Sequence, residues 1–208
     1  MPRTDIQAYS AQREIPYLVH FTRLNNLASI LRHGLLPVSD QGGLVQAPVI
    51  NDQLRLDGHL DGTSLSIAFP NYLMFNRYKL LPDTEWVVLG IDASVLWTKD
   101  CAFCQRNAAT GMMAQQPLGT LRTLAALQGM YEEIEDLNSR QEQRLRAYDP
   151  TDPQAEVLVF DQIEPNLILG VAFTTQAIRN DNAGLCGNRQ LLVEGARGGF
   201  FATRTYVR

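Results

Sequence analysis

Glu156 stands at the mouth of the segment Gln154-Ala155-Glu156-Val157-Leu158-Val159-Phe160, with Pro150 and Pro153 punctuating the approach. Of the four apolar residues that follow it, Val157, Val159 and Phe160 are β-branched or aromatic, the composition of a buried strand. An acid at that place is held on rigid backbone and aimed, as a catalytic carboxylate is best mounted. The plainer reading is a strand-entry glutamate facing water, where acids usually sit. The other reactive types are sparse. There are three histidines: His20 closes the run Ile15-Pro16-Tyr17-Leu18-Val19-His20, His33 fits a cation in the last turn of a helix, and His59 falls in a long loop. His20 and Glu156 together would give a metal only two ligands. Cys101 and Cys104 form a C-x-x-C with no second pair or nearby histidine, and Cys186 stands alone, so the cysteines read as structural or incidental. Gly-x-Ser-x-Gly, P-loop and Gly-x-Gly-x-x-Gly patterns are absent, which leaves hydrolase, NTPase and Rossmann readings without their motifs.

Among the 18 cationic side chains only Lys79 and Lys99 are lysines, the other 16 being arginine. Arginine's planar fork suits phosphates and base edges, although a GC-rich coding sequence produces the same bias. A net charge of −4 does not advertise duplex DNA binding. At 208 residues, with 45% hydrophobic and 19% charged side chains, the chain fits one large domain with a sizeable core. No apolar run approaches the roughly 20 residues of a membrane helix. Met1 to Asp5 lack the apolar stretch of a signal peptide, and the expected location is cytoplasmic.

The elements that would position these groups follow from periodicity. Residues 15–20 read as a first strand, and Leu24, Leu27, Ile30 and Leu31 as one face of a helix capped by Thr22 or Asn25, with Gly34 past its end. Residues 38–62 read as a long loop, more often functional than idle in a compact domain. Ser64–Phe69 alternates as a half-buried strand, Tyr72–Tyr78 is a short helix, and Glu85–Ile91 a buried strand. Residues 98–116 read as irregular, and Leu118–Ala147 as helical, its charged second half solvated. Strands at Glu156–Phe160 and Leu167–Phe173, a helix around Thr175–Asn180 and a last strand near Phe200–Val207 complete an α+β chain.

The segment Tyr17-Leu18-Val19-His20-Phe21-Thr22, followed by Asn26-Leu27, Ile30-Leu31 and Gly34-Leu35, resembles the opening of the DarT family of DNA ADP-ribosyltransferase toxins. A second signature of that family is a loop arginine, Arg55 here, ahead of a strand and an aromatic-Met segment, matched by Ser66 to Phe75 and especially Asn71-Tyr72-Leu73-Met74-Phe75. A third is the strand Gln154 to Val159 with its glutamate. The three occur in family order across residues 17–160.

The resemblance implies an ADP-ribosyltransferase fold, a split β-sheet core holding NAD in a bent conformation as co-substrate, with no metal. By matching position, His20, Phe21 and Thr22 would hold the ribose side of NAD, and Gly34 and Leu35 would close the first helix near the dinucleotide. The 38–56 loop would bring Arg55 to the pyrophosphate or the reacting base. Tyr72 or Phe75 would stack on nicotinamide, core packing being the ordinary reading of each. Residues 108–155 would recognise the substrate ahead of Glu156. Cleaving the nicotinamide–ribose bond develops positive charge on the ribose, which a carboxylate stabilises while also accepting a proton from the nucleophile. Glu156 and Arg55 are thus the implied catalytic pair. The implied acceptor is a base of single-stranded DNA, with Arg77, Arg144 and Arg146, and also Lys79, Arg106 and Arg122, as candidate backbone contacts; solvated surface charge is the ordinary reading of each. The family travels with an antitoxin that removes ADP-ribose or neutralises the toxin. The thymine-modifying branch carries Pro-Phe-Tyr-Phe…Arg-Ser-Pro-Met-Leu where this chain has Ser66-Ile67-Ala68-Phe69-Pro70-Asn71-Tyr72-Leu73-Met74-Phe75, closer to the guanine-modifying branch. Three competing readings remain at this stage: an RNA or protein acceptor, an NAD hydrolase, and a binding module that lost catalysis.

Overall fold

A computed structural model describes residues 2–43 and 59–207. Its helices are α1 (Thr4–Gln12), α2 (Leu27–His33), α3 (Tyr72–Tyr78), α4 (Val95–Thr98), α5 (Gly111–Ala114), α6 (Leu118–Leu121), α7 (Leu124–Gly129), α8 (Gln176–Cys186) and α9 (Arg204–Val207). Its strands are β1 (Leu18–Arg23), β2 (Thr63–Ile67), β3 (Trp86–Ile91), β4 (Cys101–Cys104), β5 (Glu156–Val159), β6 (Ile168–Phe173) and β7 (Gln190–Val193). The strands form one mixed sheet in the order β4-β5-β2-β1-β3-β6-β7, antiparallel except for the parallel β6–β7 pair.

The sheet is two half-sheets joined by a short seam. β1 pairs with β3 along its whole length, from Leu18↔Ile91 to Arg23↔Trp86, but with β2 only at Leu18↔Ile67 and Val19↔Ser66. Past Val19 the two strands part, which is the split in the core that the family resemblance implies. Alternation sends Leu18, Leu65, Val87, Leu89, Val157, Val159 and Phe173 to one face, where they pack with Ile6, Leu27, Leu31 and Leu127 from the helices in the main core. The opposite face carries two smaller clusters. One gathers Val19, Phe75, Trp86, Val88, Ala172 and Phe201; the other gathers Ala102, Cys104, Ala108, Met113, Leu121 and Leu158.

Several elements depart from the sequence reading. β1 runs on through His20 to Arg23, and Asn26 takes the N-cap place of α2, where it makes no side-chain cap. The supposedly irregular 98–116 stretch contains β4, a strand of four residues too short to show a period. The helix expected through Ala147 ends at Gly129. Beyond it the charged side chains fold turns: Glu133 accepts from the Arg140 amide, Glu142 from the Ser139 amide and hydroxyl, and Arg144 has a left-handed φ of 55°. The chain's last strand is β7, and residues 199–207 form a 3-10 turn and α9 instead of a strand.

Candidate active site

Glu156 is the first residue of β5 and pairs with Cys104 of β4. It is 5% exposed, so the strand-entry acid does not face water. A buried carboxylate needs donors to offset lost hydration. Its Oε1 accepts from Asn107 Nδ2 at 2.8 Å, and its Oε2 accepts from the Ala108 amide at 3.2 Å. Both donors come from the turn that follows β4. Asn107 shapes that turn: its Oδ1 accepts from the Ala109 amide at 3.0 Å, and its carbonyl accepts from the Thr110 hydroxyl at 2.9 Å.

The approach to Glu156 is fixed as firmly. Asp149, Thr151 and Asp152 are buried. The Arg140 guanidinium donates to the Asp149 carbonyl at 2.7 Å and to Thr151 Oγ1 at 3.0 Å. Arg204, 4% exposed, donates to the carbonyls of Pro150 at 2.7 Å and Thr151 at 3.0 Å. Burial pushes the Asp152 carboxyl up, while the Gln154 amide, at 2.7 Å from Oδ1, and Arg106 oppose that shift.

Across the sheet, Ser66 lies one step past the last β2–β5 pair, Leu65↔Val157, and so stands opposite Glu156 on the same face. The chain then turns sharply through Ala68, at φ 58°, and Asn71 caps α3 by accepting from the Met74 amide at 3.1 Å. The Asn71 amide donates to Ser66 Oγ at 3.2 Å, tying the start of α3 to the strand beside Glu156. Asn71 Nδ2 is buried and has no hydrogen-bond partner among the described residues.

His20 is half-buried, with Nδ1 3.0 Å from the Ser64 carbonyl. A carbonyl only accepts, so Nδ1 is the donor in this contact. Alternation groups His20 with Leu18 and Thr22, whereas Glu156 goes with Leu158 on the other face. A ligand touching both has to enter at the seam, where the half-sheets part. Thr22, 2% exposed, accepts from Asn26 Nδ2 at 3.0 Å and braces the entry to α2.

The aromatic candidates lie mostly in the interior. Phe21 stacks on Phe75 with ring centroids 4.5 Å apart, and Trp86 and Phe201 close around Phe75. Phe75 is 0% exposed and has no face on which nicotinamide could stack, so its ring is core. Tyr72, half-buried, is the first residue of α3. Gly34 has φ +85°, and a Cβ there would lie 2.2 Å from the Ile163 carbonyl oxygen. Leu35 is buried and bridges Ile163. Both residues therefore join α2 to the segment that leaves β5. Arg55 lies outside the described residues.

Of the cations, Arg77, Arg144 and Arg146 are exposed, the last donating to the Tyr148 hydroxyl at 2.6 Å. Lys79 instead donates to the Phe201 carbonyl, and burial lowers its pKa. Arg106 forms a bidentate pair with Asp136, and Arg122 pairs with Asp100 at 2.9 Å while covering the Phe160 ring. Cys101 and Cys104 pack in clusters on opposite faces of the sheet and cannot share a ligand. Burial pushes the Cys101 thiol up to about 12, the inert protonated form. No group of side chains suited to a metal ion occurs among the described residues.

Residues 19–195 match the family described as "ssDNA thymidine ADP-ribosyltransferase, DarT". The chain belongs to the DarT family. Solved DarT structures share its fold. Thermosipho africanus DarTG in complex with ADP-ribose matches with a TM-score of 0.59 at 14% identity, over 89% of this chain and 50% of that one. This chain thus spans half the length of that relative. Thermus sp. 2.9 DarT in complex with ADP-ribosylated ssDNA matches with a TM-score of 0.57 at 14% identity, over 87% of this chain and 95% of that one. The same protein in complex with NAD+ gives 0.55 at 15% identity, over 87% and 96%. No protein of curated function matches the chain. Membership places this chain on the DarT fold, in a family described by ssDNA ADP-ribosyltransferase activity. Sequence reasoning singled out Glu156 but passed over Asn107 and Ala108, whose only signal was a turn-forming Asn following an apolar run.

Proposed function

We propose that this chain, acting as one ADP-ribosyltransferase domain, transfers ADP-ribose from NAD to guanine in single-stranded DNA and releases nicotinamide. The observation that carries the reading is Glu156, a buried carboxylate with both oxygens held by donors beside the seam of a split sheet. In the reaction the C1′–nitrogen bond to nicotinamide breaks with its electron pair leaving on nicotinamide. The exocyclic amine of the base supplies the pair for the new C1′–nitrogen bond. Its proton passes to the Glu156 carboxylate and then to water, which closes the balance. Glu156 also opposes the positive charge that builds on the ribose while the bond breaks.

In this reading the imidazole of His20 meets the ribose side of NAD, with Phe21 and Thr22 shaping that side of the seam. Tyr72 lines the nicotinamide end, Gly34 and Leu35 border the dinucleotide, and Arg55 grips the pyrophosphate. Exposed Arg77, Arg144 and Arg146 follow the DNA backbone. A single strand spares the enzyme the cost of extracting a paired base. The segment Ser66-Ile67-Ala68-Phe69-Pro70-Asn71-Tyr72-Leu73-Met74-Phe75 supports guanine over the thymidine of the family description. The T. africanus DarTG relative supports a cognate antitoxin that removes ADP-ribose or neutralises the toxin. No described helix is long and apolar enough to cross a membrane, and action on DNA supports a cytoplasmic location.

Purified protein with labelled NAD and separate pools of single-stranded DNA, RNA and protein tests the acceptor class. Label confined to RNA or protein sinks the DNA reading, and NAD consumption that needs no acceptor points to hydrolysis. Mass spectrometry of oligonucleotides that each lack one base then tests the base. Adducts are expected wherever guanine is present, and an adduct on guanine-free, thymine-containing strands overturns that choice.

A further inference from the structure

Asn107 lies outside every motif that pointed to function, yet it is the side chain that holds the carboxylate of Glu156. We infer that Asn107 is a positioning residue for Glu156, an inference that rests on the catalytic role proposed for that glutamate. The side-chain amide is used at both ends. Oδ1 accepts from the Ala109 amide at 3.0 Å, which fixes the direction of the amide plane and leaves Nδ2 facing Glu156 Oε1 at 2.8 Å. The next residue adds the second donor, with the Ala108 amide 3.2 Å from Oε2. The turn thus offers two N–H groups spaced to match the two oxygens of one carboxylate.

The consequence is chemical as well as geometric. Each carboxylate oxygen has two lone pairs, and a donor from the turn occupies one on each. The carboxylate plane is thereby set before substrate arrives. The turn itself is anchored, since the Asn107 carbonyl accepts from the Thr110 hydroxyl at 2.9 Å and amide at 3.0 Å. Gln105 next to it donates to the Gly129 carbonyl at 2.8 Å. Movement of the turn is restrained from both sides, so its two donors act as a fixed mount.

Asn107→Asp and Asn107→Ser together separate this role from a merely structural one. Aspartate keeps the oxygen that accepts from Ala109, so the turn is preserved, but it replaces the donor facing Glu156 with a second carboxylate. The new carboxylate also repels Glu156, so Asn107→Ser, whose shorter hydroxyl keeps a turn acceptor without adding charge, is measured beside it; if Asn107 served only the turn, Asn107→Ser would keep wild-type kcat. As a positioning residue its loss lowers kcat about 10- to 100-fold, the scale of a misplaced reacting group. KM for NAD stays within about threefold, and the melting temperature of Asn107→Ser stays near wild type, whereas the facing carboxylates of Asn107→Asp lower it. Asn107→Ala, which loses both the donor and the turn acceptor, lowers kcat as well and also lowers the melting temperature. Glu156→Gln is measured alongside. If Glu156→Gln retains transfer, the assignment of Glu156 fails. If Glu156→Gln is dead while Asn107→Ser matches wild type in kcat, the proposal for Asn107 alone is overturned.

Discussion

At the scale of single residues, the site is defined by how one buried carboxylate is held by hydrogen-bond donors. Aspartate is one methylene shorter, so Glu156→Asp pulls the oxygens back from the Asn107 amide and the Ala108 N–H. Loss of a preorganised electrostatic group costs about 100- to 1,000-fold in rate. Glu156→Asp is expected to fall in that range, with single-turnover nicotinamide release as the measurement; a loss under threefold contradicts the mount. Cys101 shows the opposite use of burial. Its thiol is pushed up to about 12, chiefly by desolvation and then by Asp100 and Asp161. The folded state therefore holds that proton more tightly than the unfolded chain, whose thiol titrates near its ordinary value. The stability this contributes is complete at neutral pH and is lost as pH rises from about 9 toward about 12. Denaturation midpoints of Cys101→Ala are expected to fall less steeply with alkaline pH than those of wild type, and native Cys101 is expected to resist alkylation at pH 8. Glu156 was legible as a candidate because Pro150, Pro153 and a β-branched run isolate it at a strand mouth, but the family resemblance, more than that pattern, set it above a surface acid. Asn107 was not, because its significance lies in where a turn brings it, and a lone Asn in a turn has no periodic signature.

At the scale of elements, positions that sequence resemblance associates with the dinucleotide also carry structural duties, and substitutions there need to be read on both counts. Gly34 ends α2 at φ +85°, where a Cβ would overlap the Ile163 carbonyl. Gly34→Ala forces both a disfavoured backbone and a displacement of the segment leaving β5, at a combined cost of about 2–4 kcal/mol. Its expected signature is a lowered melting temperature in the absence of NAD; a change in KM without one would assign Gly34 to the ligand alone. Asn71 offers a cleaner separation. Asn71→Ala removes the cap of α3 and costs about 1 kcal/mol, whereas Asn71→Asp retains the accepting oxygen and the cap. Chemical denaturation is expected to rank Asn71→Asp above Asn71→Ala. The helix Tyr72–Tyr78 was legible to the residue because Pro70-Asn71 start it and its apolar side chains recur at helical spacing. The 118–147 stretch misled for a physical reason. Its charges look like a solvated helix face, yet Arg140, Glu133 and Glu142 spend them on the open backbone groups of turns. Local composition does not distinguish a charge that faces water from one that closes a turn.

At the scale of the whole molecule, the split sheet sets Glu156 beside a seam, and the extreme C-terminal region secures the approach to it. β5 receives its catalytic candidate from a long stretch of turns, and such a stretch is ordinarily where backbone opens first. Here it is closed from a distance. Arg204, at the start of α9, is 4% exposed and donates to the carbonyls of Pro150 and Thr151 and to Gln143 Oε1. Arg140 reaches the same turn from the other side through the Asp149 carbonyl and Thr151 Oγ1. Replacing Arg204 with Ala leaves buried carbonyls at Pro150 and Thr151 without these donors, at about 1–3 kcal/mol for each group left unsatisfied. Lysine restores the charge but not the fork that spans two carbonyls, so Arg204→Lys is expected to recover little. The damage is expected to be local in place and catalytic in effect: faster amide hydrogen exchange across residues 148–156, a reduced kcat, and NAD binding changed far less than turnover. Uniformly faster exchange over the sheet would make Arg204 a general stability residue. Unchanged exchange at 148–156 together with unchanged kcat would show that the segment ahead of Glu156 holds its shape by itself.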